Sequence, residues 1–235
     1  DAENGELSTF AYDLVASEAR QASFYGIISG ALPAWHWQKL SRTVTELNGR
    51  RILKSWSGSM FEYFMPQLFI RTYRHTLWSE AFSEAITQQI HFGLANEIPW
   101  GVSESGYCAF DDMGAYQYKA FGIPSLAVRN VRENEKIIAP YATALVLPFV
   151  PEKAARNLLQ LKKLGMLGSY GFYEAADFNG ENRRFIKSYM AHHQGMSLIA
   201  AANCLKNNVI VDLFHSAPEV QAGEDLLWEK PPVEG

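Results

Sequence analysis

Helical periodicity runs along most of this 235-residue chain, and loops carrying glycine, aromatics and a glutamate break it again and again. The stretch "STFAYDLVASEARQASFYGIISG" has Ser8 and Thr9 as N-cap candidates and Gly30 as a stop. Its Ala16, Ala19, Ser23 and Gly26 form a small-residue stripe for close helix approach. "PAWHWQKLSRT" predicts a short helix from Pro33, and "FMPQLFIRTYRHT" reads as another. "SEAFSEAITQQIHFGLANE" sets Ala81, Ala85, Ile86 and Ile90 on one face. Further helices are expected over "APYATALVLPF", over "PEKAARNLLQLKKLGML" from Pro151 to Gly165, over "RRFIKSYMAHHQGMSLIAAANCLKN" and over "VIVDLFHSAPEVQAGEDLLWEK". Neither a Rossmann nor a P-loop glycine signature is present. The pattern predicts an all-α domain of antiparallel helix pairs spanning 1–235 and inviting a toroid. At most one short β-hairpin is expected, around Val128 to Ile137.

With 48% hydrophobic and 13% aromatic residues the chain can build a buried core. A net charge of −4 and a single short basic cluster, "NRRFIK", give no attraction to nucleic acid. Cys108 and Cys204 fit neither a metal knuckle nor a disulfide framework and read as free thiols. No run approaches the roughly 18 apolar residues that cross a bilayer. The acidic start without an initiator Met reads as a processed chain or a piece of a longer one, the second being favoured.

Three loops share a composition: "SWSGSMFEY", "PWGVSESGY" and "GSYGFYEA" each set a glutamate beside small residues and aromatics. Sugar clefts are built this way, aromatic faces stacking on pyranose rings while carboxylates take hydroxyl hydrogen bonds. Glycoside chemistry needs two carboxyl groups, one protonated and one ionised, and Glu62, Glu104 and Glu174 are the candidates. The favoured pair is Glu104 and Glu174. Glu62, among Trp56, Met60, Phe61, Tyr63, Phe64 and Met65, either points to solvent from a helix start or serves as the acid or as a holder of a sugar hydroxyl. In "MAHHQGMS" the adjacent His192 and His193 point about 100° apart on a helix, which serves one metal ion poorly. A structural histidine or a substrate hydrogen bond is the better reading. Asp111 and Asp112 lack the other oxygen ligands of a calcium loop, and no G-x-S-x-G elbow appears. No metal and no cofactor is expected.

Seven motifs in order, "YDLVASEARQASF", "SWSGSMFEYFMP", "PWGVSESGY", "YQYKAFGIPSL", "IAPYATAL", "YGFYEA" and "SYMAHHQGMSL", resemble the glycoamylase-like domain of bacterial cyclic β-1,2-glucan synthases, relatives of the endo-β-1,2-glucanases. That resemblance implies an (α/α) toroid, incomplete at its N-terminus, whose loops hold the glucan. It implies retaining transglycosylation that closes a β-1,2-glucan onto its own 2-OH without a nucleotide sugar; hydrolysis, or glucan binding without turnover, are the alternatives. The substrate-binding set would be Trp56, Ser57, Trp100, Tyr107, Tyr116, Gln117, Tyr141, Tyr173, His192, His193 and Gln194. The partner would be β-1,2-glucan together with other domains of a membrane-bound synthase. Such a synthase sits at the cytoplasmic face of the inner membrane, whereas a stand-alone hydrolase would belong in the periplasm.

Overall fold

The computed structural model describes residues 4–6, 11–47, 49–132, 135–180 and 182–231. Helices α1 (Ala19–Ile28) and α2 (His36–Lys39) lead into a hairpin of β1 (Val44–Leu47) and β2 (Arg50–Leu53). Then follow α3 (Met60–Phe64), α4 (Leu77–Ala95) and the pair β3 (Ser105–Phe110) and β4 (Tyr116–Lys119). After β5 (Ile137–Ile138), α5 (Pro140–Ala144) and α6 (Pro151–Lys163) come β6 (Leu167–Gly168), β7 (Gly171–Phe172), β8 (Ala175–Asp177) and β9 (Arg184–Ile186). Helices α7 (Ala191–Leu205), α8 (Val209–Phe214) and α9 (Pro218–Ala222) follow, and a 3-10 helix at Glu224–Trp228 is the last element of the described chain.

The fold is helix-rich, with small strands stitching its loops, and it differs from the sequence reading at definite places. Among the described residues no hairpin forms across 128–137. Instead β5 pairs antiparallel with β8, and β8 with β9, in a three-stranded sheet. The stretches read as irregular, 98–113 and 168–182, supply β3 and, together with Leu167 before the second, β6 to β8. These strands run for two to six residues and are interrupted by glycine, too short for a period of two to be legible. "FMPQLFIRTYRHT" is not a helix beyond a single 3-10 turn at Pro66–Leu68. Asn203 takes the Leu68 carbonyl at 3.0 Å, so a tertiary contact replaces the next helical turn. The first helix starts at Ala19. The proposed caps Ser8 and Thr9 lie outside the described residues. Among the described residues no helix is long and apolar enough to cross a membrane.

The core gathers aromatics from many elements. Phe64 on α3 meets Phe82 on α4 at 5.3 Å and Phe149 at 5.4 Å, and Trp37 lies edge-on to Trp78 at 6.0 Å. Burying one such ring stabilises the fold by roughly 1.5–3 kcal/mol. Arg20 runs through this core: its guanidinium donates to the carbonyls of Val15 and Tyr63 and to Gln67 Oε1, and it stacks over Trp78 at 4.6 Å. Burial pushes Arg20 down to about 9.

A second polar knot ties the C-terminal helices to the 66–74 segment. His215, buried, accepts from the Arg71 backbone N–H on Nε2 at 3.0 Å, so its proton sits on Nδ1 and points at Glu224. Burial lowers the His215 pKa. Burial opposes the same change at Glu224, but the hydrogen bonds from His215 and Tyr73 outweigh it and hold that carboxyl below its usual range. Both folded values are depressed, so this stability is present at neutral pH. It is lost as pH falls through the ordinary histidine value of about 6.5 and then through the carboxylate range. Thermal melts from pH 7.5 to 5 should show a falling Tm, and the fall should be shallower in His215→Gln. An equal slope in both proteins would exclude His215 as the cause.

Candidate active site

Glu62 initiates the site by fixing the loop in front of it. Ser59 caps α3 in a capping box with Glu62 as its N3 partner. Glu62 also receives Ser55 Oγ at 2.9 Å, Ser57 N at 3.0 Å, Ser57 Oγ at 2.5 Å, Ser59 N at 3.0 Å and Ser59 Oγ at 2.9 Å. Five donors around one carboxylate address a group that only accepts. The loop they hold is pressed against residues 122–129: Ser55 N donates to Leu126 O, Val128 N to Ser55 O and Arg129 N to Trp56 O. The approach is so close that a Cβ on Gly122 would lie 1.7 Å from Ser57 O. Trp56 is thereby held by its backbone while its ring stays half exposed, beside Tyr12 on a cavity of about 600 Å³.

Glu104 lies next to this loop, because Ser103 Oγ accepts from Phe61 N at the start of α3. Its carboxyl is half-buried, and Tyr118 on β4 donates to Oε1 at 2.8 Å. Burial raises the Glu104 pKa; the Tyr118 bond and His193 pull against that, while the charges of Glu18 and Glu62 add to it. Tyr141 on α5 donates to the Glu104 backbone carbonyl at 2.8 Å and pairs with Ser103 Oγ at 2.9 Å. Its ring stacks on His193 at 3.6 Å, and burial followed by the nearby Tyr118 and Glu104 pushes its phenol well above the ordinary range.

Glu174 sits deeper, 2% exposed, just before β8. Its Oε1 accepts from Gly106 N at 3.1 Å and its Oε2 faces His193 Nδ1 at 2.9 Å. The other ring nitrogen of His193, Nε2, is 3.3 Å from the Tyr118 hydroxyl. Glu62 on α3, Glu104 just before β3 and Glu174 just before β8 are thus linked through Ser103, Tyr118 and His193. Tyr107, bonded to Gln117 at 2.6 Å, and Tyr116, against Phe110 at 4.7 Å, stand on the β3–β4 pair. Tyr173 packs on Tyr189 at 5.5 Å. His192 is exposed beside His193 at 4.0 Å, with burial and then His193 lowering its pKa, and Gln194 is tied to Phe172 O at 3.0 Å. Trp100 does not join them: Asn157 on α6 takes both its backbone N–H and its carbonyl, and its buried ring packs between α4 and α6.

Two residues of the site were not singled out from the sequence. Tyr118 is one. The other is Glu18, immediately before α1, whose Oε2 is buried and finds no hydrogen-bond partner among the described residues. Its charge is felt by Glu104, Tyr118 and Tyr12, and the Tyr12 phenol is raised by burial and then by Glu18. The signal was in "ASEAR": a glutamate among small residues at a helix start.

A half-buried carboxyl with a raised pKa, a second carboxylate with an unused oxygen, and half-exposed aromatics around them are the equipment of a glycoside-processing cleft. The glycoamylase family model matches residues 11–218. The chain belongs to the glycoamylase family. It is 40% identical over 233 residues to the cyclic β-(1,2)-glucan synthase NdvB of Rhizobium meliloti, covering 97% of this chain and 8% of NdvB. In fold, this glycoamylase domain is similar to an endo-β-1,2-glucanase from Chitinophaga pinensis solved with sophorotriose and glucose, at a TM-score of 0.69 and 20% identity. That match covers 90% of this chain and 54% of the other. It is also similar to the Talaromyces funiculosus endo-β-1,2-glucanase in complex with sophorose, at a TM-score of 0.59 and 16% identity, covering 98% of this chain and 53% of that one. The glycoamylase chain therefore spans about half the length of these glucanases.

Proposed function

We propose that this glycoamylase domain cleaves β-1,2-glucan with retention and passes the glycosyl group to a sugar hydroxyl, within an (α/α) toroid. Support comes from the likeness to NdvB and to the β-1,2-glucanases. The observation that carries the reading is the Glu104 carboxyl, held by Tyr118 and raised by burial, with its other oxygen left for substrate. A raised carboxyl is protonated closer to neutral pH, as an acid for the leaving oxygen must be. Retention needs a second carboxylate to reach the anomeric carbon. The favoured partner from sequence, Glu174, has its oxygens committed to Gly106 and His193 and is almost fully covered, while those of Glu62 are committed to the serine loop. Glu18 fits that role better: its Oε2, though buried, takes no hydrogen-bond donor among the described residues, and the residue as a whole is only half-buried.

In this scheme Glu104 protonates the glycosidic oxygen as Glu18 attacks the anomeric carbon, forming a glycosyl ester. Glu104, now ionised, takes the proton from an incoming hydroxyl and the ester bond breaks. An incoming sugar 2-OH gives transglycosylation, and water gives hydrolysis. Trp56 and Tyr12, half exposed on the neighbouring cavity, offer stacking faces that favour the sugar. NMR of the first product formed from a linear β-1,2-glucan tests this: the β-anomer, or a product with no reducing end, is expected. An initial α-anomer would mean inversion and leave the hydrolase reading. Mobility shifts of glucan with no new chain lengths would leave a binding module.

A further inference from the structure

The proton positions between Glu174 and Glu104 can be counted. The Tyr118 hydroxyl has one proton and lies between Glu104 Oε1 at 2.8 Å and His193 Nε2 at 3.3 Å. An ionised carboxylate only accepts, so while Glu104 is charged the phenol proton belongs to the Glu104 bond. The His193 contact is then a hydrogen bond only if Nε2 carries a proton and donates to the phenol oxygen. At the far side of the ring, Glu174 Oε1 is occupied by the Gly106 N–H, leaving Oε2 against Nδ1 at 2.9 Å. One further proton is shared there. Tyr141, stacked at 3.6 Å, keeps the imidazole in this plane.

We propose that Tyr118 is a positioning residue for Glu104, its hydroxyl proton aimed at Oε1 by the Glu174–His193 pair, so that Glu104 carries and delivers its own proton from Oε2. The Glu174–His193 pair thus holds two protons, one on Nε2 and one shared between Nδ1 and Oε2; without Glu174 the ring would keep a single proton, free to sit on Nδ1 and leave Nε2 to accept the phenol proton, drawing it away from Glu104. With Glu174 in place the Tyr118 bond persists in both protonation states of Glu104, which a residue alternating between acid and base requires. The idea rests on the reading of Glu104 as the acid and base of the reaction. Tyr118 from β4 bonds the Glu104 carboxyl; the charges of His193 from α7, Glu62 from α3 and Glu18 before α1 act on it, as it acts on Tyr12, and Tyr141 from α5 bonds its backbone.

The test is NMR of the domain carrying ¹³C-labelled glutamate carboxyls, with the Glu104 signal assigned by its loss in Glu104→Gln. In Tyr118→Phe, which removes one half-exposed hydroxyl and keeps the ring, the Glu104 midpoint should rise by about one pH unit, the scale of one charge-assisted hydrogen bond. ¹⁵N shifts should show His193 Nε2 protonated in the wild-type domain. An unmoved Glu104 midpoint, or a His193 with a bare Nε2, would overturn the proposal. On linear β-1,2-glucan the alkaline limb of kcat/KM should move up with the midpoint, whereas a merely structural Tyr118 would lower the rate equally at every pH. Should the wild-type domain leave glucan untouched, the proposed reaction fails, and the two NMR readings still decide the role of Tyr118.

Discussion

Glu104→Gln should lower turnover of linear β-1,2-glucan by roughly 10²–10⁴-fold, the usual contribution of a positioned acid or base. The amide keeps the shape and can still accept from Tyr118 at Oε1, but it has no proton to give from the other position. KM should change far less than kcat, because ground-state contacts survive. The pH profile supplies a second reading. A general acid must be protonated, so the rate falls as pH rises through the Glu104 value, and the raised value sets that limb above the usual carboxylate range. Removing Glu104 should abolish the limb. Glu18→Gln should cost at least as much, while Glu174→Gln should cost less: the amide can still satisfy Gly106 and offer its NH₂ to Nδ1, which keeps Nε2 protonated. A Glu174→Gln loss equal to that of Glu104→Gln, with Glu18→Gln near wild type, would restore Glu174 as the second catalytic carboxylate.

The second large effect is on stability. Glu62→Gln should destabilise the fold by about 3 kcal/mol, because the new NH₂ meets hydroxyls and backbone N–H groups placed to donate. For a chain of this size that is a drop in Tm of roughly 6–12 °C. The damage should spread, since Ser55, Ser57 and Ser59 lose their common acceptor and Trp56 loses its fixed backbone. Hydrogen exchange at Ser57 N and Ser59 N should accelerate more than exchange in α4. A Tm within 2 °C of wild type, or about half a kcal/mol, would show that the serines find other partners and that Glu62 is not the clamp.

How far the chain could be read from its residues differs between the fold and the site. The long helices were legible because α4 and α6 repeat apolar positions at helical spacing and Pro151 opens the second, whereas the Thr76 cap of α4 emerged only in the structure. The small strands were not, because β5, β6 and β7 have two residues each and exist only where a distant segment supplies the hydrogen bonds. The three glutamate loops were legible as a set by composition. Their convergence follows only from the packing of α3, β3, β8 and α7.

By itself the sequence determined that this is a helix-rich chain with carboxylates set among aromatics, since helix formation and burial depend on neighbours within a few turns. Only the tertiary structure decided what each carboxylate is bonded to. Glu62, Glu104 and Glu174 look alike in their loops, yet one is filled by serine donors seven residues or fewer away, one is held by Tyr118 from β4, and one is locked to His193 from α7. Glu18 stands before the first helix with an oxygen left over. A carboxyl takes its role from the donors and charges around it, and even a backbone donor can arrive from 68 residues away, a separation no local pattern encodes.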